Sequence, residues 1–378
     1  MALYLASGAP TPLFIVWQDE WGFPDSLVAL GFAAYAFTFL VALLVGGSLS
    51  DHLGRKPVIV GSLALALVSI AMFMLAPSIE WIIVARAVQG VAVGVVTAAY
   101  TAALVELARE GSRVAPVVAA AAPVGGLGLG ALLGGIAVEL WGPDADDILF
   151  MVVGVLVVGG MVIAAVAPET SARIPGSARS LVPSVVVPGT ARQFFLRMLP
   201  ILIAAWATGS LFLGLAPTVV HDLLHLESGL LDGATASVHA FGVCVGSIVF
   251  GRLAVPTALR GGAAGLVLGV GLVVLGVAFP SIALVWIGGV VEALAFGAAF
   301  GAIFRGLSPL APEHQRAGTF AAVYVAAYLA LGVPAVIAGQ LIAPFGLLPT
   351  ILGWTVLIVL LAGVGLIIQL RRRRETAV

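Results

Sequence analysis

Long apolar runs separated by short polar gaps recur twelve times along the chain. They predict helices over about 2–17, 27–49, 58–76, 81–106, 114–140, 148–167, 195–217, 231–254, 262–279, 282–305, 318–342 and 347–370. Most approach or exceed the roughly 20 residues that cross about 30 Å of hydrocarbon as a helix. Barrel strands would be about half that length and would alternate, and these runs do not alternate. The pattern predicts an all-α membrane protein with twelve transmembrane helices. The break between the last two runs rests on Pro344, Gly346 and Pro349. The first run gives only about 24 Å at about 1.5 Å per residue, and Pro10 and Pro12 interrupt it. No basic stretch precedes it, as a signal peptide would require. The expectation is a short first helix or a missing N-terminal turn.

Charge adds sidedness. Every Lys and Arg except Arg86 falls after an even-numbered run. Arg55 and Lys56 follow the second, and Arg109 and Arg113 the fourth. Arg173, Arg179, Arg192 and Arg197 surround the junction after the sixth. Arg252 and Arg260, then Arg305 and Arg316, and finally Arg371 to Arg374 follow the eighth, tenth and twelfth. The odd gaps hold none. This is the positive-inside bias, and it predicts a multi-pass protein of the cell membrane with a cytoplasmic basic tail at 371–378. Arg prevails over a single Lys, Lys56, and Ala, Gly and Val abound, as in a GC-rich bacterial gene, so the bacterial cytoplasmic membrane is expected.

Composition agrees. The chain is 61% hydrophobic and 9% charged, where soluble domains carry about a quarter charged residues. The basic residues sit in scattered loops, not in one patch, so no nucleic-acid partner is expected. The single cysteine, Cys244, lies in an apolar run and reads as a packing residue. Residues 168–194 have a linker composition, with Pro175, Pro183, Pro188, Gly176 and Gly189. They divide an N-terminal six-helix bundle (1–167) from a C-terminal one (195–370), a pattern of transporters built from repeats.

The loop after the second run reads Gly47-Ser48-Leu49-Ser50-Asp51-His52-Leu53-Gly54-Arg55-Lys56-Pro57. Gly47 allows close helix approach and Gly54 a tight turn. Asp51 can accept hydrogen bonds from a helix N-terminus or an arginine. The loop resembles the signature of the major facilitator superfamily, G-x-L-x-D-x-x-G-R-K/R-x, at every defining position. The resemblance implies two pseudo-symmetric six-helix bundles and alternating access. It also implies a conformational latch built on Gly47, Asp51, Gly54, Arg55 and Lys56, in which Asp51 engages the start of the eleventh helix near Gly318 and Thr319. Otherwise the loop is a solvated turn with topology-setting charges. Arg86-Ala87-Val88-Gln89-Gly90 matches the family's R-x-x-Q-G motif, which implies a role for Arg86 and Gln89 in proton coupling or conformational switching. An arginine at that depth needs a cavity, a carboxylate or backbone carbonyls, unless it snorkels outward. Gly126, Gly130 and Gly134 recur every four residues and suit close helix packing. The stretch Gly126–Gly135 resembles the antiporter motif G-x-x-x-G-P-x-x-G-G, with Ala131 in place of the proline.

Glu292 is the acid nearest a predicted bilayer midplane, and His239 lies at intermediate depth. Each is a candidate for proton coupling, or an interhelical hydrogen bonder. Tyr324 and Tyr328 are one turn apart and could share a cavity face or pack internally. Trp17, Trp21, Trp81, Trp141 and Trp354 read as interfacial anchors. The second half carries only a worn copy of the loop signature, from Gly246 to Gly251-Arg252, with no acid after it.

There is no phosphate-binding loop, nucleophile elbow or metal cluster in the sequence. No enzyme activity, cofactor or metal is expected. The expected function is proton-coupled efflux of a small hydrophobic or amphipathic solute by a monomeric secondary transporter, an antiporter. Two alternatives stay open: a symporter or uniporter for a polar nutrient such as a sugar or organic acid, and a non-transporting membrane sensor.

Overall fold

A computed structural model of the chain describes residues 1–108, 114–171 and 183–375. Arg109, Arg113, Arg173, Arg179 and residues 172–182 of the predicted linker lie outside the described residues. Those described are helical, with no strand among them. Ten stretches are long and apolar enough to cross a membrane, and one of them, Ala121–Val166, runs through two helices. Ile163 and Val155 are 70% and 68% exposed, an apolar surface suited to lipid.

The chain forms two compact units. The first comprises Met1–Pro183 with Ser228–Gly233. Its helices are α1 (Ala2–Gly8), α2 (Pro10–Trp21), α3 (Asp25–Gly46), α4 (Leu49–Leu53), α5 (Arg55–Met74), α6 (Ile79–Glu106), α7 (Val114–Trp141) and α8 (Ala145–Val166). Here α3 packs on α6, α5 on α6 and α8, and α1 on α7. The second unit comprises Ser184–Glu227 and Ala234–Val378. Its helices are α9 (Gly189–Ser210), most of α10 (Gly229–Val249), α11 (Val255–Ala278), α12 (Ile282–Leu307), α13 (Arg316–Phe345) and α14 (Leu347–Glu375). Here α11 packs on α12 and α14, and α9 on α12, α13 and α14.

Several boundaries differ from the hydropathic reading. α9 begins at Gly189, inside the predicted linker, and α11 begins at Val255. Hydropathy marks only the apolar part of a helix, while Arg192 and Arg260 occupy helical turns beyond it. The first run is two helices that meet at Ala9, because Pro10 has no N–H to continue the ladder. The second run divides at Gly47–Ser48 into α3 and the short α4. α13 stops at Gly346, whose φ of 84° favours glycine, and Pro344 lies inside the helix rather than beyond its end.

Two of the predicted interfacial tryptophans are packing residues. Trp17 is fully buried, stacks on Phe73 and Phe150, and donates from Nε1 to Asp146 Oδ2 at 3.0 Å. Trp354 is buried and donates to the Ala207 carbonyl. Trp81 and Trp141 are exposed, at 49% and 44%.

Candidate functional site

The polar residues inside the first unit gather where α1 breaks. Pro10 leaves the Ala6 carbonyl without its usual i+4 donor, and Gln89 Nε2 donates to that carbonyl at 2.9 Å. Arg86 Nη1 donates to the Ser7 carbonyl at 2.8 Å and to Gln89 Oε1 at 2.7 Å. The Arg86 guanidinium lies 4.6 Å from the Tyr35 ring centroid, and the whole residue is buried. Carbonyl dipoles and a ring face therefore hold this cation, without snorkelling.

The glycine stripe of α7 faces the same broken helix. A Cβ at Gly130 would lie 2.0 Å from the Leu5 carbonyl oxygen; at Gly126, 2.5 Å from Tyr4 Cβ; at Gly134, 2.5 Å from the Ala9 carbonyl oxygen. Backbone-to-backbone contact of this kind leaves no room for a side chain.

At the signature loop, Gly54 takes φ 109°, which lets α4 turn directly into α5. Gly47 continues the helical path, and a Cβ there would lie 3.9 Å from Ala98 Cβ. Arg55 pairs with Asp51 and with Glu106 at 3.1 Å, and donates to Ser50 Oγ. The backbone N–H groups of Arg55 and Lys56 donate to the Glu169 carboxylate at 2.8 and 3.2 Å. Thr170 Oγ1 donates to Glu106, and Ser171 Oγ to the Asp51 carbonyl. Hydrogen bonds from Arg55 and Thr170 hold the Glu106 carboxyl below its ordinary value. Burial pushes the Glu169 carboxyl up, but four backbone N–H donors more than offset it and leave it lowered. The sequence signals for Glu106 and Glu169 are an acid closing α6 and another shortly after α8, too weak to mark them without the structure. Gly318 and Thr319 lie in the second unit, where the Gly318 carbonyl accepts from Val186 N–H and Thr319 Oγ1 donates to the Gln315 carbonyl.

In the second unit, His239 of α10 and Glu292 of α12 form one pair. His239 Nδ1 and Glu292 Oε1 are 2.5 Å apart, and both residues are buried, Glu292 completely. Glu292 Oε2 has no hydrogen-bond partner among the described residues. The ring of Phe212 stacks on the imidazole at 5.4 Å, and Phe296 tilts against it at 5.8 Å. Phe212 lies in a π-helical stretch, Leu211–Leu215, that continues α9; such bulges concentrate at functional sites. Gly209 gives the imidazole room, since a Cβ there would lie 3.4 Å from His239 Nε2.

An aromatic wall continues from this pair. Glu292, Phe296, Phe300 and Phe304 recur every four residues on α12, and Phe320, Tyr324 and Tyr328 do so on α13. Phe300 meets Tyr324 at 6.4 Å and Phe304 meets it at 5.7 Å. Trp206 of α9 meets Phe296, Phe300 and Tyr328 at 5.7, 5.5 and 5.0 Å. The i, i+4 recurrence on α12 is the sequence signal for Phe296 and Phe300, whereas Phe212 has no such signal. An apolar cleft of about 440 Å³ elsewhere, between α13 and α14, is lined by Ile337, Leu341, Phe345 and Leu357 and holds no titratable group.

A model of the Major Facilitator Superfamily matches residues 1–333. The inner membrane transport protein YajR of Escherichia coli (strain K12) is 39% identical over 92 residues, 24% of this chain; the match spans only 20% of that protein. Among solved structures, a bacterial homolog of the human lysosomal transporter Spinster aligns with a TM-score of 0.77 at 15% identity, covering 97% of this chain and 94% of its own. The human organic anion transporter MFSD10 (TETRAN) aligns with a TM-score of 0.67 at 17% identity, covering 96% and 97%. A POT family transporter in complex with 5-aminolevulinic acid gives 0.74 at 12%, covering 98% and 92%. These likenesses are of fold.

Proposed function

The chain belongs to the Major Facilitator Superfamily, a family of membrane transporters that work by alternating access, and from that premise we propose that it is a proton-coupled exporter of small hydrophobic or amphipathic solutes. The observation that carries this reading is the buried His239–Glu292 pair. With one proton between them, imidazole and carboxyl are together neutral. Release of that proton leaves a net charge of −1 on a fully buried carboxylate, which is costly in a low-dielectric interior. Loss or gain of the proton therefore favours different packings around the pair, as coupling requires. The proton moves from the pair to water on one side of the membrane and returns from the other; no covalent bond to solute forms.

The apolar and aromatic wall beside the pair suits a solute of low polarity. A sugar site would need more Asn and Gln than Gln89, Gln340 and Gln369 supply in the spans. Efflux is supported by the likeness of Gly126–Gly135 to the antiporter motif, even though those glycines pack against α1. In the same reading the protein is a monomer of the bacterial cytoplasmic membrane with a cytosolic C-terminus, its two bundles are 1–167 and 195–370, and the Asp51 loop acts as a latch.

The test is flux in proteoliposomes. Solute should accumulate on the acidic side when a pH gradient is imposed, and the gradient should dissipate faster when solute is present. Solute movement at equal rates with and without the gradient contradicts proton coupling. Accumulation on the alkaline side contradicts export.

A further inference from the structure

Trp206 has a feature that ring packing alone does not require. Its indole Nε1–H is buried and has no acceptor among the described residues. Buried tryptophan N–H groups usually find a partner, and one left unpaired costs free energy that a phenylalanine at the same place would avoid. The surrounding rings of Phe300, Tyr324 and Tyr328 are only half-buried, so part of the wall is not covered by protein. The wall's ionisable pair, His239 and Glu292, is neutral when it holds one proton, and its carboxylate is already engaged by the imidazole. A charged solute would meet no net counter-charge there while the pair holds its proton. A flat, uncharged ring matches the ring faces, which favour offset and edge contacts at about 4.5–7 Å.

We propose that Trp206, Phe296, Phe300, Tyr324 and Tyr328 form the solute site, and that its ligand class is a neutral planar aromatic compound bearing a hydrogen-bond acceptor that takes the Trp206 Nε1–H. Phe296 touches both the Trp206 ring and the His239 imidazole. A ligand seated on this wall therefore shifts a ring that also packs on the proton-bearing pair. The assignment rests on the transporter reading above and adds the solute's chemistry to it.

The experiment is equilibrium dialysis of purified full-length protein in detergent against three probes: coumarin, which is planar with a ring carbonyl; naphthalene, which is planar without an acceptor; and a naphthyl-trimethylammonium cation. Coumarin should bind the wild type most tightly. Trp206→Phe, which keeps a ring and removes the donor, should weaken coumarin about threefold to tenfold more than it weakens naphthalene, the worth of one neutral hydrogen bond. Tyr324→Leu should weaken both neutral probes. Equal loss of coumarin and naphthalene in Trp206→Phe, unchanged coumarin binding in that variant, or tighter binding of the cation than of coumarin overturns the assignment. Should Trp206→Phe fail to fold in a thermal unfolding control, the wild-type preference for coumarin over naphthalene and the Tyr324→Leu result decide it. Dialysis involves no gradient and no vesicle, so binding can persist where proton-driven efflux fails, and the two readings fail separately.

Discussion

Each unit buries a charge-bearing group, and the two are held in opposite ways. In the first, Arg86 is fixed by the Ser7 carbonyl, the Gln89 side chain and the Tyr35 ring. In the second, Glu292 is paired with a titratable imidazole, has one unpartnered oxygen and is surrounded by rings. Arginine does not give up its proton in proteins, so the Arg86 cluster can bind and brace but cannot carry a proton. The proposed carrier is the His239–Glu292 pair. The recognisable R-x-x-Q-G motif thus sits in the bracing cluster, while the pair proposed to exchange a proton carries no motif.

Substitutions sharpen that contrast. The largest effect is expected from Glu292→Gln, which should reduce proton-driven flux to the rate seen without a gradient, read in proteoliposomes. Flux at the wild-type rate would move the proton elsewhere. Next comes Gly130→Leu: with the Leu5 carbonyl oxygen only 2.0 Å from the position of a Cβ, α1 and α7 must separate. Overpacking of this kind costs about 1–3 kcal/mol or more, read as a lower Tm. Arg86→Leu leaves the Ser7 carbonyl and Gln89 Oε1 without their donor, at about 1–3 kcal/mol. It should lower thermal stability yet keep the pH profile of transport. A shifted profile in that variant would erase the distinction between the two clusters.

Smaller effects are expected at the signature loop. Asp51→Asn removes a partly exposed ion pair with Arg55, worth under about 1 kcal/mol, so insertion and Tm should barely change while transport slows. Wild-type transport in that variant removes the latch. Acid should loosen the same loop. The Glu106 and Glu169 carboxyls are lowered from 4.5, so their contribution is complete above that value and is lost as pH falls through the lowered ones. Protease nicking near Glu169 should accelerate below about pH 4 and stay constant between pH 6 and 8.

Much of the fold is legible in the sequence because lipid imposes length and polarity on each span and the basic residues fall in every second gap. Gly54 and Gly346 mark turns for the same local reason, a backbone angle that side chains resist. Helix ends beyond the hydrocarbon are not legible: the turns before Arg197 and Arg260 are helical, with α9 opening at Gly189 and α11 at Val255. Nor is the role of Trp17, since an aromatic near a span end reads alike whether it meets lipid or, as here, Asp146 and Phe150. His239 and Glu292 each stand out as ionisable groups in apolar helices, but their contact spans 53 residues of chain, and no local pattern foretells a partner at that distance. The aromatic wall is written as two i, i+4 stripes on α12 and α13, yet Trp206 joins them only through tertiary packing.

The most direct test of the central assignment is proton release on solute binding, read with an indicator dye in weakly buffered detergent solution. Wild-type protein and Arg86→Leu should each release about one proton per bound solute, and Glu292→Gln none. Equal release from Glu292→Gln, or release abolished in Arg86→Leu alone, would contradict it.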